Sequence, residues 1–309
     1  MQTDSQLETT SLAAPVLAFP SVEHLAYRIA DMTFGLHAEG ELRLALEKEL
    51  CAFETPCGCC DVNLRVSWTD ALEVPRSRQL FHSGGLWSLF EEPEGYRFSF
   101  LAPTVGRAPY KEAWLDPDFR NGRIFLSKEY FDSERPVYPL EYPLDELLMI
   151  HRLSRGLGVE VHAVGITDET GRGHLFFGHS GAGKSTTARL WMKRAGAKVL
   201  SDDRIILRKR DGRIWMYGTP WHGDAGIASP ECAPLDAIYL LEHGGENERI
   251  PLAPGHVAAE LFARTFATHH FEEGIRFTLD FLHQVAREVP CSVFRFVPDE
   301  SAVEAICRA

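Results

Sequence analysis

The run Gly178-His179-Ser180-Gly181-Ala182-Gly183-Lys184-Ser185 spells G-x-x-x-x-G-K-S between an apolar stretch and a helical pattern. Glycines in such a loop let successive backbone N–H groups curl around phosphate oxygens, and the N-terminus of the next helix adds partial positive charge. Lys184 can reach the outer phosphates, and the Ser185 hydroxyl suits the shell of a Mg²⁺ ion. The flanks supply the frame that the motif needs. His174-Leu175-Phe176-Phe177 reads as a buried strand, and residues 185–195 carry helix formers that stop at Gly196. Such a strand–loop–helix unit, a P-loop, puts an α/β architecture around a nucleoside triphosphate. Its binding set is Gly178, Ser180, Gly181, Ala182, Gly183, Lys184, Ser185 and Thr186.

Charge narrows the partners. The 309 residues carry a net charge of -12, which argues against a nucleic-acid backbone and leaves room for a basic peptide or small protein. No apolar run reaches about 18 residues, so a membrane-spanning helix is not expected. Residues 1–20 lack a basic start followed by an apolar stretch and read as a loose tail; the cytoplasm is the expected compartment. Cys57, Cys59 and Cys60 crowd after Pro56, but C-x-C-C is an uncommon zinc spacing, so they read as reduced thiols in a turn.

The front half looks β-rich. Val62, Leu64, Val66 and Trp68 alternate with polar residues, as do Tyr96, Phe98 and Phe100, and residues 123–126 form a short strand after an Asn121-Gly122 turn. Residues 21–140 therefore read as a smaller, mostly antiparallel N-terminal domain suited to substrate recognition. The catalytic domain spans residues 141–309, beyond the proline-spaced stretch 136–143. There Leu144, Leu147, Leu148 and His151 form a helical stripe, and residues 159–166 form a strand. Asp211-Gly212 between two apolar runs signals a hairpin. Helical patterns near 256–266 and 272–287, a strand at 292–297 and a last helix capped by Asp299 complete a mixed sheet.

Phosphoryl transfer to an alcohol needs a metal anchor and a group to accept the hydroxyl proton. Residues 199–203 read as a strand ending in Asp202 and Asp203, one helix and one turn beyond Lys184. That path returns the chain beside the P-loop strand. One aspartate can then serve metal and the other the acceptor, or one can be structural. The glycine-rich stretch 218–226 reads either as a tight turn or as an active-site wall, with Trp221 against the substrate and His222 and Asp224 as functional groups.

The loop, the helix behind it and Leu200-Ser201-Asp202-Asp203-Arg204 resemble the catalytic domain of the HPr kinase/phosphorylase family. The resemblance covers residues 145–309. It implies a P-loop fold related to phosphoenolpyruvate carboxykinase, with ATP and Mg²⁺ as cofactors. It implies that Lys184 and Ser185 hold phosphates and metal, and that Asp202 and Asp203 supply the base and a metal contact. His162, on the strand before the one leading into the P-loop, would lie near the transferred phosphate; read alone, it is a core histidine. The family's Glu-x-Arg-Gly-x-Gly segment has no counterpart, and the front domain does not align. The expectation is a kinase acting on a serine-bearing peptide, small protein or metabolite, not the bifunctional regulator. Alternatives are a nucleotide-gated peptide-binding protein and a carboxykinase-type enzyme. A homo-oligomer is left open.

Overall fold

The computed structural model describes residues 22–102, 106 and 108–308; the loose tail expected over residues 1–20 lies outside them. The front sheet is built from β1 (His24–Ile29), β2 (Met32–Ala38), β3 (Val62–Thr69), β4 (Arg78–His82), β5 (Trp87–Glu92), β6 (Gly95–Phe100), β7 (Lys111–Leu115) and β8 (Asn121–Ser127). Their order is β1-β2-β3-β8-β7-β6-β5-β4, with β2–β3 and β3–β8 parallel and the other pairs antiparallel. Alternation in β3 turns Val62, Leu64 and Val66 fully inward, as the pattern requires. The turn expected at Asn121-Gly122 lies earlier. Asp116 accepts the backbone N–H groups of Arg120 and Asn121, so the chain reverses before Asn121 and both residues open β8.

The rest of the chain runs through α1 (Leu144–Leu153), β9 (Val159–Thr167), β10 (Gly173–Phe177), α2 (Lys184–Met192), β11 (Lys198–Ser201), β12 (Arg204–Arg210) and β13 (Arg213–Tyr217). It continues through β14 (Cys232–His243), β15 (Glu248–Pro251), α3 (Pro254–Phe262), α4 (Glu272–Glu288), β16 (Cys291–Phe296) and α5 (Glu300–Cys307). The protein is thus a mixed α/β structure with two mixed sheets and few helices. In the second sheet β10 lies between antiparallel β9 and parallel β14, and the β12–β13 hairpin joins the N-terminal ends of those two long strands. The hairpin turns on Asp211 and Gly212, both at positive φ (51° and 76°), as its sequence signalled.

Helix α2 stops at Met192, short of Gly196, because Lys193 and Arg194 donate tight i→i−3 bonds that close its last turn. The strand before the aspartates also ends early. Ser201 Oγ accepts the N–H groups of Asp203 and Arg204, so Asp202 and Asp203 occupy a bend between β11 and β12. Both strands pair with β9, which therefore separates the aspartates from the loop strand β10, contrary to the expected direct neighbourhood.

This topology opens a gap in the covering layers. Even-numbered residues of β9 share one face, in the order Glu160, His162, Val164 and Ile166. Val164 and Ile166 are covered by α2 and α5 through Leu190, Trp191 and Val303. At the other end Ile206, opposite Glu160, joins the core formed by the front sheet and α1. His162 and its partner across the ladder, Arg204, lie between the two covers. Helices α3 and α4 close the opposite face, with Val257, Leu261, Phe281, Leu282 and Val285 packed on Val161, Leu175 and Ile205.

His151 is buried on the α1 stripe, where its Nδ1–H donates to Leu147 O at 2.6 Å. Its Nε2 must then accept from His270 Nε2, 2.9 Å away. Burial pushes His151 down to about 3, and burial and His269 push His270 down to about 4. The neutral pair is what the fold stabilises. Its contribution is complete above the unfolded histidine value near 6.5 and disappears as pH falls toward the folded values. Wild-type protein should lose about 3 kcal/mol more than His151→Leu between pH 7 and pH 4, measured by urea unfolding. Parallel curves for the two proteins would refute this.

Candidate functional site

Strand β10 ends at Phe177, and the chain turns through a glycine-rich loop into α2. Gly183 starts the helix at φ 102°, and a Cβ there would stand 2.5 Å from the Phe296 ring, so only glycine fits both backbone and floor. Helix α2 has no side-chain N-cap, which leaves the amides of its first turn free to meet an anion. Lys184 is 8% exposed and folds back on the loop, donating to Gly178 O at 3.0 Å and His179 O at 3.3 Å. Burial holds its ammonium below the ordinary lysine value, with the Asp203 charge opposing and the Arg264 charge adding.

A cleft of about 400 Å³ opens above this loop. It is lined by Ser180, Gly181, Gly183, Lys184, Ser185 and Thr186 on one side and His162, Asp202, Asp203, Gly223 and Asp224 on the other. Most residues singled out from the sequence therefore converge. Gly178 instead contributes its carbonyl to Lys184, and Ala182 is buried beneath the loop. His222 is exposed and bonds to Gly223 O, outside the lining residues. Trp221, expected against a substrate, turns away: its Nε1–H donates to Asp145 Oδ2 at 2.8 Å and its ring packs on the front core. Burial, opposed by this bond, pushes the Asp145 carboxyl up to about 7.

The two aspartates have different surroundings. Asp202 is 2% exposed and both of its oxygens are taken by backbone amides: Gly223 at 3.1 Å, Ala225 at 2.8 Å and Ile227 at 3.3 Å. Gly223 makes this approach possible, since a Cβ there would meet Asp202 Oδ2 at 3.0 Å. Asp203 faces side chains instead. His162 Nδ1 lies 2.9 Å from its Oδ1, and Arg204 Nη1 binds its Oδ2. Burial pushes its carboxyl up, but the His162 bond and the Arg204, His162 and Lys184 charges outweigh it and leave Asp203 below the ordinary aspartate range. It stays anionic at neutral pH.

Arg204 is held in turn. Its Nε donates to Glu146 Oε1 at 2.7 Å, its guanidinium lies 4.1 Å over the Phe266 ring, and Glu160 stands 3.6 Å away. Burial, then the Glu146 charge, raises Glu160 well above the carboxylate range. These supports escape a sequence reading because their spacings are non-local. Arg264 escapes it too: its carbonyl accepts the His162 N–H and its charge acts on Lys184. So does His243, at the end of β14, whose Nε2 meets Gly181 O at 2.9 Å. Among the described residues no three His, Cys, Asp or Glu side chains form a metal cage, at the Cys57, Cys59 and Cys60 turn or elsewhere, and no helix is long and apolar enough to cross a membrane.

No protein-family model matches the chain, and no curated protein matches its sequence. Among solved structures it matches the HPr(Ser) kinase/phosphatase from Coxiella burnetii with a TM-score of 0.28 and 12% identity, over 48% of this chain and 90% of that one. A likeness of that size carries no argument about activity. The cleft's own geometry must carry it.

Proposed function

We propose that the chain is an ATP- and Mg²⁺-dependent kinase that transfers the γ-phosphate to a serine-type hydroxyl of a peptide, small protein or metabolite. The observation that carries this reading is the arrangement in one cleft of an anion-ready helix start, Lys184 and an anionic Asp203. In this reading the 178–185 segment is a P-loop. Its amides and Lys184, released from its own loop carbonyls, hold the phosphates. The donor set fits Mg²⁺, which takes one or two carboxylates plus phosphate oxygens and needs no protein cage. Ser185 and Asp203 would hold the ion, which would neutralise charge on the transferring phosphate. Asp203, aimed by His162 and Arg204, orients the acceptor hydroxyl and takes its proton. Asp202 serves the site by fixing the 223–227 segment, which brings Asp224 to the rim as a wall.

Incubation with γ-labelled ATP, Mg²⁺, free serine and serine-bearing peptides should give a labelled acceptor. ATP bound tightly without transfer across the panel would instead favour a nucleotide-gated binding protein and overturn the kinase reading.

A further inference from the structure

The outer face of the front sheet carries a second chemical pattern, remote from the cleft. Strand registers align His24, His37, Arg65, Arg123, Trp114 and Arg97 in one row across six neighbouring strands. Arg65 and Arg123 stand directly opposite each other, and like charges in that relation destabilise a sheet. The arrangement is also unusual in a chain with 44 acidic and 32 basic residues. Among the described residues Arg123 has no carboxylate within ion-pair distance. Among the same residues Arg65 has only Glu39 at 3.4 Å, with both side chains exposed, a pairing that contributes little.

The neighbouring histidine reports the same field. His37 is pushed down by burial, then by His24 and Arg65, with no carboxylate drawing it up. Of the carboxylates lining the same groove, Asp116 is held by the Arg120 and Asn121 amides and Glu92 by Ser77 and Arg97, which leaves Arg123 without an ion pair among the described residues. Glu94, at the β5–β6 turn, also lines this groove. Trp114 is fixed for contact. Arg97 lies 4.6 Å over one face of its ring, Glu112 accepts its Nε1–H at 3.2 Å, and the side chain stays 37% exposed. Two adjoining grooves, about 670 and 520 Å³, meet at Arg65, Asn121 and Gly122.

We propose that this face docks an extended acidic peptide segment, its carboxylates on Arg65 and Arg123 and an apolar or aromatic side chain on Trp114. Arg favours carboxylates through its planar fork, and an exposed, pre-fixed indole adds contact area at small entropic cost. The docking does not depend on the kinase reading, so it is tested without nucleotide.

A fluorescein-labelled peptide of alternating Glu and Phe is titrated with the full chain at low and high salt, beside its Lys–Phe analogue and a short oligothymidylate. The acidic peptide should bind saturably, weaken with salt, and lose at least about tenfold in affinity with Arg65→Ser/Arg123→Ser and with Trp114→Ala. The double arginine substitution should leave the melting temperature unchanged or slightly raised; Trp114→Ala, which also gives up its contacts with Arg97 and Glu112, should lower it modestly without unfolding the chain, as checked by far-UV circular dichroism. Equal binding of the Lys–Phe peptide, indifference to the double substitution, or tighter Arg-dependent binding of oligothymidylate would overturn the proposal.

Discussion

Asp203→Asn is expected to lower the turnover of phosphate transfer by about 10²–10⁴-fold, with a smaller loss of affinity for Mg²⁺ and the ATP it carries. The substitution keeps the size of the side chain but removes the basic carboxylate and leaves one oxygen to accept where His162 and Arg204 each had their own. A proton acceptor matters only as the hydroxyl attacks, so the larger loss should fall on kcat, with KM for ATP raised only as far as the Mg²⁺ contact of Asp203 contributes to binding. The pH profile supplies a second reading. Asp203 lies below the ordinary aspartate value, so its protonation should begin to slow the wild-type reaction only below about pH 4. An acid limb centred near pH 7 would point elsewhere, to Asp145 or a histidine. Turnover within about threefold of wild type would remove Asp203 from the role of base.

The parts of this site that were legible in sequence are those built from contiguous residues. The glycine-rich loop is local, its helix start follows from it, and the Asp211-Gly212 hairpin needs two residues alone. The strand read at residues 159–166 carried His162, but its sequence could not say what covers the histidine's face. The answer comes from the front-sheet core with α1 at one end and from α2 with α5 at the other, and the front sheet and α5 lie far from β9 in the chain. Strand β14 was invisible for the opposite reason. Ile238, Tyr239, Leu240 and Leu241 are all buried, since β14 runs inside the sheet with helices on both faces, and no alternation survives. The β1–β2 hairpin turns on Ala30 and Asp31 at positive φ, a conformation that Asp tolerates but Ala seldom adopts, so the pair carried no turn signature. The Glu146–Arg204–Asp203 chain joins α1 to the β11–β12 bend, and no short motif encodes it.

The aspartate pair shows most sharply what three dimensions add, and Asp202→Ala should give a result of a different kind from Asp203→Asn. Two adjacent carboxylates look interchangeable in sequence, yet Asp202 has spent both oxygens on three backbone amides. Removing it leaves those three half-buried amides at the cleft edge without their acceptor, at a cost of about 1–3 kcal/mol. Such a loss should lower the melting temperature by several degrees, about 2–4 °C for each kcal/mol in a chain of this size. Hydrogen exchange at residues 223, 225 and 227 should quicken well beyond the rest of the protein. Turnover should fall as well, because Asp224 loses its station at the cleft rim, and KM for the acceptor should rise with it. Asp202→Asn keeps one acceptor oxygen and should recover part of the stability. The opposite outcome is equally readable. If Asp202→Asn and Asp203→Asn abolish transfer alike, with melting and exchange both unchanged, then Asp202 acts on the reacting phosphate and the division of labour drawn from its three amide bonds is wrong.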